Sequence, residues 1–157
     1  MAIFRSRYNA DAFTDKPQQI LEKNIASGEV ITIYDEFPIN TVVASNDVVW
    51  SCEIPANSKV LSLRVVNTED IATGVYTAGY TSNTALGDKT SVVTASTTAF
   101  LAASTLAAGT PEHVMTSDAA GFLLEFNRPV FLQLVFTTAP TVLDAKKIRI
   151  VMQVIGK

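Results

Sequence analysis

Apolar residues alternate with polar ones along most of this chain, and that period of two limits the fold more than any other feature. The alternation is clearest in residues 58–66 and 147–155, where Leu, Ile, Val or Met recurs at every second position. Successive side chains of a β-strand point to opposite faces, so this period indicates strands with one buried face. No long stretch has the helical period of 3.6, so units in which a helix connects two parallel strands are not expected.

The strand candidates are short and similarly spaced. We count about eight of them in residues 29–155, and no Asn-Gly or Asp-Gly pair marks a tight hairpin between them. This arrangement predicts an all-β fold, an antiparallel β-sandwich of the jelly-roll or Greek-key type with longer connections. Residues 99–106 fit either a short Ala- and Leu-rich helix or a further strand. The candidates are residues 30–34, 42–43, 48–54, 58–66, 75–81, 121–126, 130–137 and 147–155.

The first 28 residues differ from the rest of the chain. Phe4, Tyr8 and Phe13 are spaced among charged and polar residues, and Pro17 follows them as a breaker. This pattern predicts an N-terminal arm, residues 1–28, followed by a sandwich domain, residues 29–157. Such an arm can be disordered, fold back on the domain or reach a neighbouring subunit.

Composition and charge exclude several classes of protein. A chain of 157 residues with 48% hydrophobic and 17% charged residues is long and apolar enough for one domain with its own core, and it is not disordered. No uncharged apolar run approaches the roughly 20 residues that cross a bilayer, so no membrane partner is expected. The net charge of −3 argues against nucleic acid as the partner. Residues 128–157 hold five bases and one acid. The functional interpretation of this uneven charge is a patch complementary to another protein or another copy of the chain, and the simpler one is an ordinary solvated face.

The residues that carry chemistry are sparse. With one histidine, His113, and one cysteine, Cys52, the chain cannot build a zinc site from several such ligands. Cys52 is expected to be a buried thiol and His113 a solvated loop residue. Adjacent residues of a strand point to opposite faces, so the acids Asp35 and Glu36 are not expected to converge. Glu69 and Asp70 are expected in a turn after Val66–Asn67, where a weak calcium site is an open alternative although the spacing of an EF-hand loop is absent. No serine-nucleophile elbow or phosphate-binding loop is present in the sequence. We therefore predict no enzyme activity, no cofactor, no metal and no small-molecule substrate.

Surface aromatic residues leave one binding function open. Trp50, Tyr34, Tyr76 and Tyr80 could form a platform for a sugar ring, although packing in the core is the commoner use of such residues. A carbohydrate-binding β-sandwich module is therefore the alternative function.

Four segments together resemble a known family. ASNDVVWSCEIPANSKVLSLRVVNTEDIATG (44–74) has a strand, an Ile-Pro-Ala turn, a second strand and an acidic turn, and a strand with Gly-Tyr-Thr follows. TTAFLAASTLAAGTP (97–111), FNRPVFLQLVFTTAPT (126–141) and KKIRIVMQVIGK (146–157) continue the pattern. This order of features is similar to that of the decoration, or capsid cement, proteins of tailed-bacteriophage heads. Residues 82–90 and the arm have no counterpart in it.

The resemblance implies a fold, a partner and a location. Such a protein is an all-β sandwich that docks on the outside of an expanded capsid and bridges neighbouring major capsid subunits, usually as a dimer or trimer. It would be part of the virion and, since no secretory signal is visible at the N-terminus, it would be made in the host cytoplasm. The residues expected to contact the capsid or a second copy of the chain are Phe4, Arg5, Arg7, Tyr8 and Phe13 in the arm and Lys146 and Lys147 near the C-terminus.

Overall fold

A computed structural model describes residues 3–5, 30–38, 43–67, 74–89, 92–105, 112–140 and 147–156. Within these ranges the chain forms ten β-strands and one short 3-10 helix, Asn83–Leu86. The strands are β1 (Ile3–Arg5), β2 (Val30–Pro38), β3 (Val48–Ile54), β4 (Ser58–Asn67), β5 (Val75–Tyr80), β6 (Ser96–Thr105), β7 (Glu112–Val114), β8 (Glu125–Phe126), β9 (Val130–Thr138) and β10 (Lys147–Gly156).

The strands form two sheets that pack face to face. The first sheet has the order β1-β3-β9-β5-β6, and the second has the order β2-β10-β4-β7, with the short β8 also paired to β4. Every pair is antiparallel except β1 with β3. Most neighbouring strands are distant in sequence, as expected for Greek-key connections. The predicted all-β antiparallel sandwich is therefore confirmed.

The core lies between the sheets and is built by the alternation seen in the sequence. In β10 the inward side chains Ile148, Ile150, Met152 and Val154 are fully buried, while the residues between them face outward. Leu132, Leu134 and Phe136 of β9 meet them from the first sheet. Burying each such side chain stabilises the fold by roughly 1.5–3 kcal/mol, so the pattern of period two decides which face of each strand turns inward.

Three local predictions are corrected or resolved. Of residues 99–106, the described residues 99–105 are not helical: they belong to β6 (Ser96–Thr105), because pairing with β5 outweighs the helix propensity of alanine. Val43 is buried outside any strand, and residue 42 lies outside the described residues. In 121–126 only β8 is a strand. The preceding residues turn, with Leu123 at a positive φ of 57° and the N–H of Gly121 bonded to the carbonyl of Ala99 at 2.7 Å.

Part of the predicted arm belongs to the first sheet. Ile3–Arg5 forms β1, which adds to the edge of that sheet in parallel with Val48, Val49 and Trp50. The other residues of the arm lie outside the described ranges, so the boundary between arm and domain stays a prediction. Within the described ranges no helix has the length and apolar character to cross a membrane.

Candidate interaction face

The second sheet has an open side, which we call the outer face. It carries the side chains that alternate with the core residues of β2, β10, β4 and β7. Three of the five most exposed large apolar side chains of the described residues lie on it: Val30 and Tyr34 on β2 and Val114 on β7, each slightly more than half exposed. Clustered exposed apolar side chains are typical of surfaces that bind another macromolecule.

The strand register aligns these residues in rows. Tyr34, Val151, Arg64 and Val114 are successive cross-strand neighbours, so one row crosses all four strands. Cross-strand neighbours have Cβ atoms only about 5 Å apart, so the aliphatic stem of Arg64 lies between Val151 and Val114. The row is therefore a stripe of three apolar side chains that is interrupted between Val151 and Val114 by the exposed Arg64.

Ion pairs border this stripe. Lys147 Nζ contacts Glu36 Oε1 at 2.8 Å, joining β10 to β2. Arg64 Nη2 donates to Glu112 Oε2 at 2.8 Å, joining β4 to β7, and Lys59 faces Glu125 at 3.9 Å. Exposed pairs of this kind add at most about 1 kcal/mol each. They pair Glu36, Glu112 and Glu125 with bases, so the outer face combines exposed apolar side chains with paired charges, one of which, Arg64, lies within the stripe itself.

The opposite side of the sandwich is partly closed. The 3-10 helix packs against β9, and Thr81 exchanges two hydrogen bonds of 2.9 Å with the backbone of Phe131. Asn83, fully buried, fixes this segment: its Oδ1 accepts the N–H groups of Val92 and Val93 at 2.9 and 2.8 Å, and its Nδ2 donates to Asp88 at 2.9 Å. Phe131 is consequently buried although it points away from the core between the sheets.

The aromatic residues considered for a sugar platform do not come together. Trp50 is half-buried and stacks on Phe131, with ring centroids 5.5 Å apart. Tyr76 is fully buried, and Tyr80 packs edge-on against Phe126 at 4.9 Å. Of the four residues only Tyr34 is exposed, and it lies on the other sheet. For Tyr76 and Tyr80, packing is the interpretation that the structure supports.

The isolated reactive residues are placed as follows. Cys52 is buried as predicted. Burial is the largest cause, and the negative charge of Asp35 the second, of the rise in the pKa of the Cys52 thiol from 9.0 to about 12. His113 is not a solvated loop residue: it lies on β7, half-buried, with its ring edge-on to Tyr76 at 5.7 Å. Within the described ranges no group of three or more His, Cys, Asp or Glu residues is placed to hold a metal ion.

Of the two acidic pairs, Asp35 and Glu36 diverge as the sequence predicts. Asp35 turns inward, where it accepts the Ser51 hydroxyl at 2.6 Å, and Glu36 turns to the outer face. Glu69 and Asp70 lie outside the described residues.

The residues predicted to contact a partner are not gathered in one place among the described residues. Phe4 and Arg5 belong to β1 at the edge of the first sheet, and Lys147 lies on the outer face of the second, paired with Glu36. Arg7, Tyr8, Phe13 and Lys146 lie outside the described ranges. Of the exposed apolar residues on the outer face, the sequence analysis named Tyr34 as a candidate for a sugar platform and missed Val30 and Val114. The available signal was the position of Val30, Tyr34 and Val114 on the polar side of their strands.

Comparisons with known proteins identify the fold. No protein-family model and no curated protein sequence matches the chain. A chain from the capsid of Ralstonia phage GP4 is 15% identical over 99% of both chains, with a TM-score of 0.72. A chain of the cyanophage Pam1 capsid asymmetric unit is 18% identical over 83% of this chain and 86% of that one, with a TM-score of 0.61. A chain from the acid-stable capsid of Helicobacter pylori bacteriophage KHP30 is 13% identical over 80% and 86% of the two chains, with a TM-score of 0.54. All three similar folds come from phage capsids.

Proposed function

We propose that this protein is a structural component of a phage virion that binds the outer surface of the head and stabilises it by bridging neighbouring major capsid subunits. The observation that carries the proposal is the likeness, over 99% of both chains, to a chain from a phage capsid. Two further phage capsids contain similar folds. We assign the protein no catalytic role and no nucleic-acid, membrane or cofactor partner.

The geometry of the outer face supports a docking role. A sheet face with exposed apolar side chains and paired charges can cover a second protein without a pocket or a moving part. A stable contact needs roughly 800 Å² from each partner, and many copies on one shell turn a modest contact into strong retention. The rigid sandwich behind the face keeps its side chains in place.

The arm and the C-terminal bases remain part of this proposal. Phe4, Arg5, Arg7, Tyr8 and Phe13, with Lys146 and Lys147, are proposed to contact the capsid or a second copy. Lys147 already pairs with Glu36, so any contact it makes with a partner is shared with that carboxylate.

The test is co-sedimentation of purified protein with undecorated expanded heads, with unexpanded proheads as the control. Saturable binding to expanded heads alone is expected. Binding to neither contradicts the proposal, and a red-shifted Trp50 emission that responds to glycans would then favour the carbohydrate alternative.

Two variants locate the contact within that assay. Val114→Lys places a charge in the apolar stripe and is expected to weaken head binding about tenfold, the equivalent of one lost apolar contact of about 1.4 kcal/mol. Val92→Lys is the matched control, because Val92 is equally exposed but lies in the segment that follows the 3-10 helix. Equal effects of the two variants would show that the outer face is not the docking surface.

The arm is tested separately. Deletion of residues 1–28 is expected to lower head occupancy while the sandwich stays folded. The combined change Arg7→Ala, Tyr8→Ala and Phe13→Ala is the milder version, since it leaves the pairing of β1 with β3 in place. Unchanged occupancy with both variants contradicts a role for the arm.

A further inference from the structure

β2 is a long and regular edge strand. It has nine residues, and its register with β10 runs from Val30 to Pro38 without a shift. Among the described residues it pairs with β10 alone. The other edge strands are short or irregular: β1, β7 and β8 have two or three residues, and the pairing of β6 with β5 shifts register twice. A long, regular edge is a template for pairing with another strand.

The direction of the free hydrogen-bonding groups on β2 follows from one contact. The backbone N–H of Glu36 donates to Asp35 Oδ1 at 2.9 Å, which indicates that it points away from β10. In an antiparallel ladder, alternate residues turn their N–H and C=O groups to the same side. Val30, Thr32 and Tyr34 therefore direct their N–H and C=O groups to the open edge. At Glu36 the Asp35 carboxylate already accepts the N–H that would otherwise be available to another strand.

The sequence of this edge is not protected against pairing. Residues 30–34 read Val-Ile-Thr-Ile-Tyr, with no charge and no proline, whereas Asp35, Glu36 and Pro38 follow directly. Val30, Thr32 and Tyr34 are all exposed. Edge strands that remain single usually carry a lysine, a proline or a bulge. The available ladder is thus confined to Val30–Tyr34.

We propose that the β2 edges of two copies of this chain pair antiparallel about a two-fold axis at Thr32, joining the second sheets of both copies into one. The inference does not rest on the capsid proposal, because it concerns the free protein.

The choice of a second copy follows from self-complementarity. An axis at Thr32 sets Thr32 against the same residue of the second copy, and Val30 against Tyr34 in both directions. Thr–Thr and aromatic–β-branched pairs are favourable cross-strand pairs. An axis at Ile33 would instead set Val30 against the charged Glu36. On the inner side, the axis at Thr32 brings Ile31 against Ile33, so apolar groups meet there as well.

The first test is the association state of the full chain in solution. A strand pair alone buries less than a standard interface of about 800 Å² per partner, so sedimentation should be followed up to about 1 mM. We expect a monomer–dimer equilibrium. Thr32→Lys and Thr32→Glu, which set like charges directly across the axis, should each raise the dissociation constant about tenfold or more. Thr97→Lys, the same change at an exposed position of edge strand β6, should leave it unchanged.

Mixing the two charged variants makes the test specific for a two-fold axis. Equimolar Thr32→Lys and Thr32→Glu should form a mixed dimer, because opposite charges then meet across the axis. Failure of the mixture to associate overturns pairing at Thr32. A trimer, or a wild-type chain that stays monomeric throughout the range, overturns the proposal. If the wild type is monomeric and Thr32→Lys abolishes head binding, the β2 edge pairs with a segment of the capsid and not with a second copy of this chain.

A cross-link provides a readout that does not depend on affinity. Directly opposed residues of a hydrogen-bonded antiparallel pair have Cα atoms about 5.5 Å apart, inside the roughly 4.4–6.8 Å that a disulfide spans. Thr32→Cys should therefore oxidise to a covalent dimer, since the native Cys52 is buried and does not compete. Thr97→Cys is the control, and equal dimer yields from both variants would overturn the proposal.

Discussion

One buried hydrogen bond between the two sheets allows a quantitative prediction. Asp35 of β2 and Ser51 of β3 are almost fully buried, and the Ser51 hydroxyl donates to Asp35 Oδ2 at 2.6 Å. The same carboxylate accepts the N–H of Glu36 through Oδ1. The bond joins the edge of the second sheet to the first, where β2 packs against β3.

The expected cost of losing this bond follows from its type. Hydrogen bonds to a charged group contribute about 1.5–3 kcal/mol, and a carboxylate that loses a partner in the interior is not compensated by water. Ser51→Ala should therefore lower the free energy of unfolding by about 2 kcal/mol. With a urea dependence of about 1–3 kcal/mol/M, the unfolding midpoint should fall by roughly 1 M.

A double-mutant cycle isolates the pair. Asp35→Asn keeps the size of the side chain but replaces one of the two carboxylate oxygens, each of which accepts a hydrogen bond, with an NH2 group. The variant with both changes should be more stable than the sum of the single effects predicts by about 1 kcal/mol or more. Ser62→Ala is the matched control, because the Ser62 hydroxyl bonds Gln153 Oε1 at 3.0 Å on the exposed side. It should cost at most about 0.5 kcal/mol.

Urea unfolding, followed by far-ultraviolet circular dichroism and by the emission of Trp50, measures these values. Trp50 is the single tryptophan and precedes Ser51, so the two signals should report one transition. Equal losses for Ser51→Ala and Ser62→Ala, or additive losses in the cycle, would refute the idea that the bond stabilises the contact between the sheets.

Two further predictions concern Cys52 and Gly79. The Cys52 thiol has a pKa of about 12 in the folded protein against an ordinary 9.0, so the unfolded chain releases this proton first as the pH rises. The contribution of this thiol to stability should therefore be full below pH 9 and be lost between pH 9 and 12. Cys52→Ala should reduce the fall in stability over this range in urea titrations at successive pH values, and an unchanged fall would contradict the assignment. Gly79 lies against the backbone of β6, where an added Cβ would overlap the carbonyl oxygen of Ser96. Gly79→Ala should therefore cost about 2 kcal/mol or more, and a thermal melt that matches wild type would show that β6 can move aside.

The sequence predicted those parts of the fold that one strand decides by itself. The alternation in β9 and β10 identified their core-facing side chains, because a strand with one buried face must repeat every two residues. In β4 it did so only for Leu63 and Val65: a register shift against β10 buries Val60 in place of the expected Leu61. Local propensity could not decide residues 99–105, where pairing with β5 selects a strand. His113 was misplaced for the same reason: its strand exists only because three residues pair with β4.

The outer face could not be derived from any one segment. Its stripe joins residues from β2, β10, β4 and β7, which are separated by up to more than a hundred positions, and only the register brings them into a row. The predicted contact residues were instead chosen from charge and from spaced aromatics near the termini. Of these, Lys147 is the one that the described structure places on the outer face.

The two proposals together give the proposed bridging of capsid subunits a geometric basis. A two-fold axis between antiparallel edge strands is perpendicular to the sheet, so both copies would present their outer faces in the same direction. The stripe that ends at Tyr34 in one copy would continue at Val30 of the other and double the apolar surface on one side of the dimer. A single copy would cover one site, whereas the pair would span two equivalent sites that a two-fold axis relates. Thr32→Lys should then lower retention on heads through lost avidity, while Val114→Lys should weaken each contact itself. Combining them should therefore cost more than either alone, and a combined effect equal to that of Thr32→Lys would show that the outer face contributes nothing to docking.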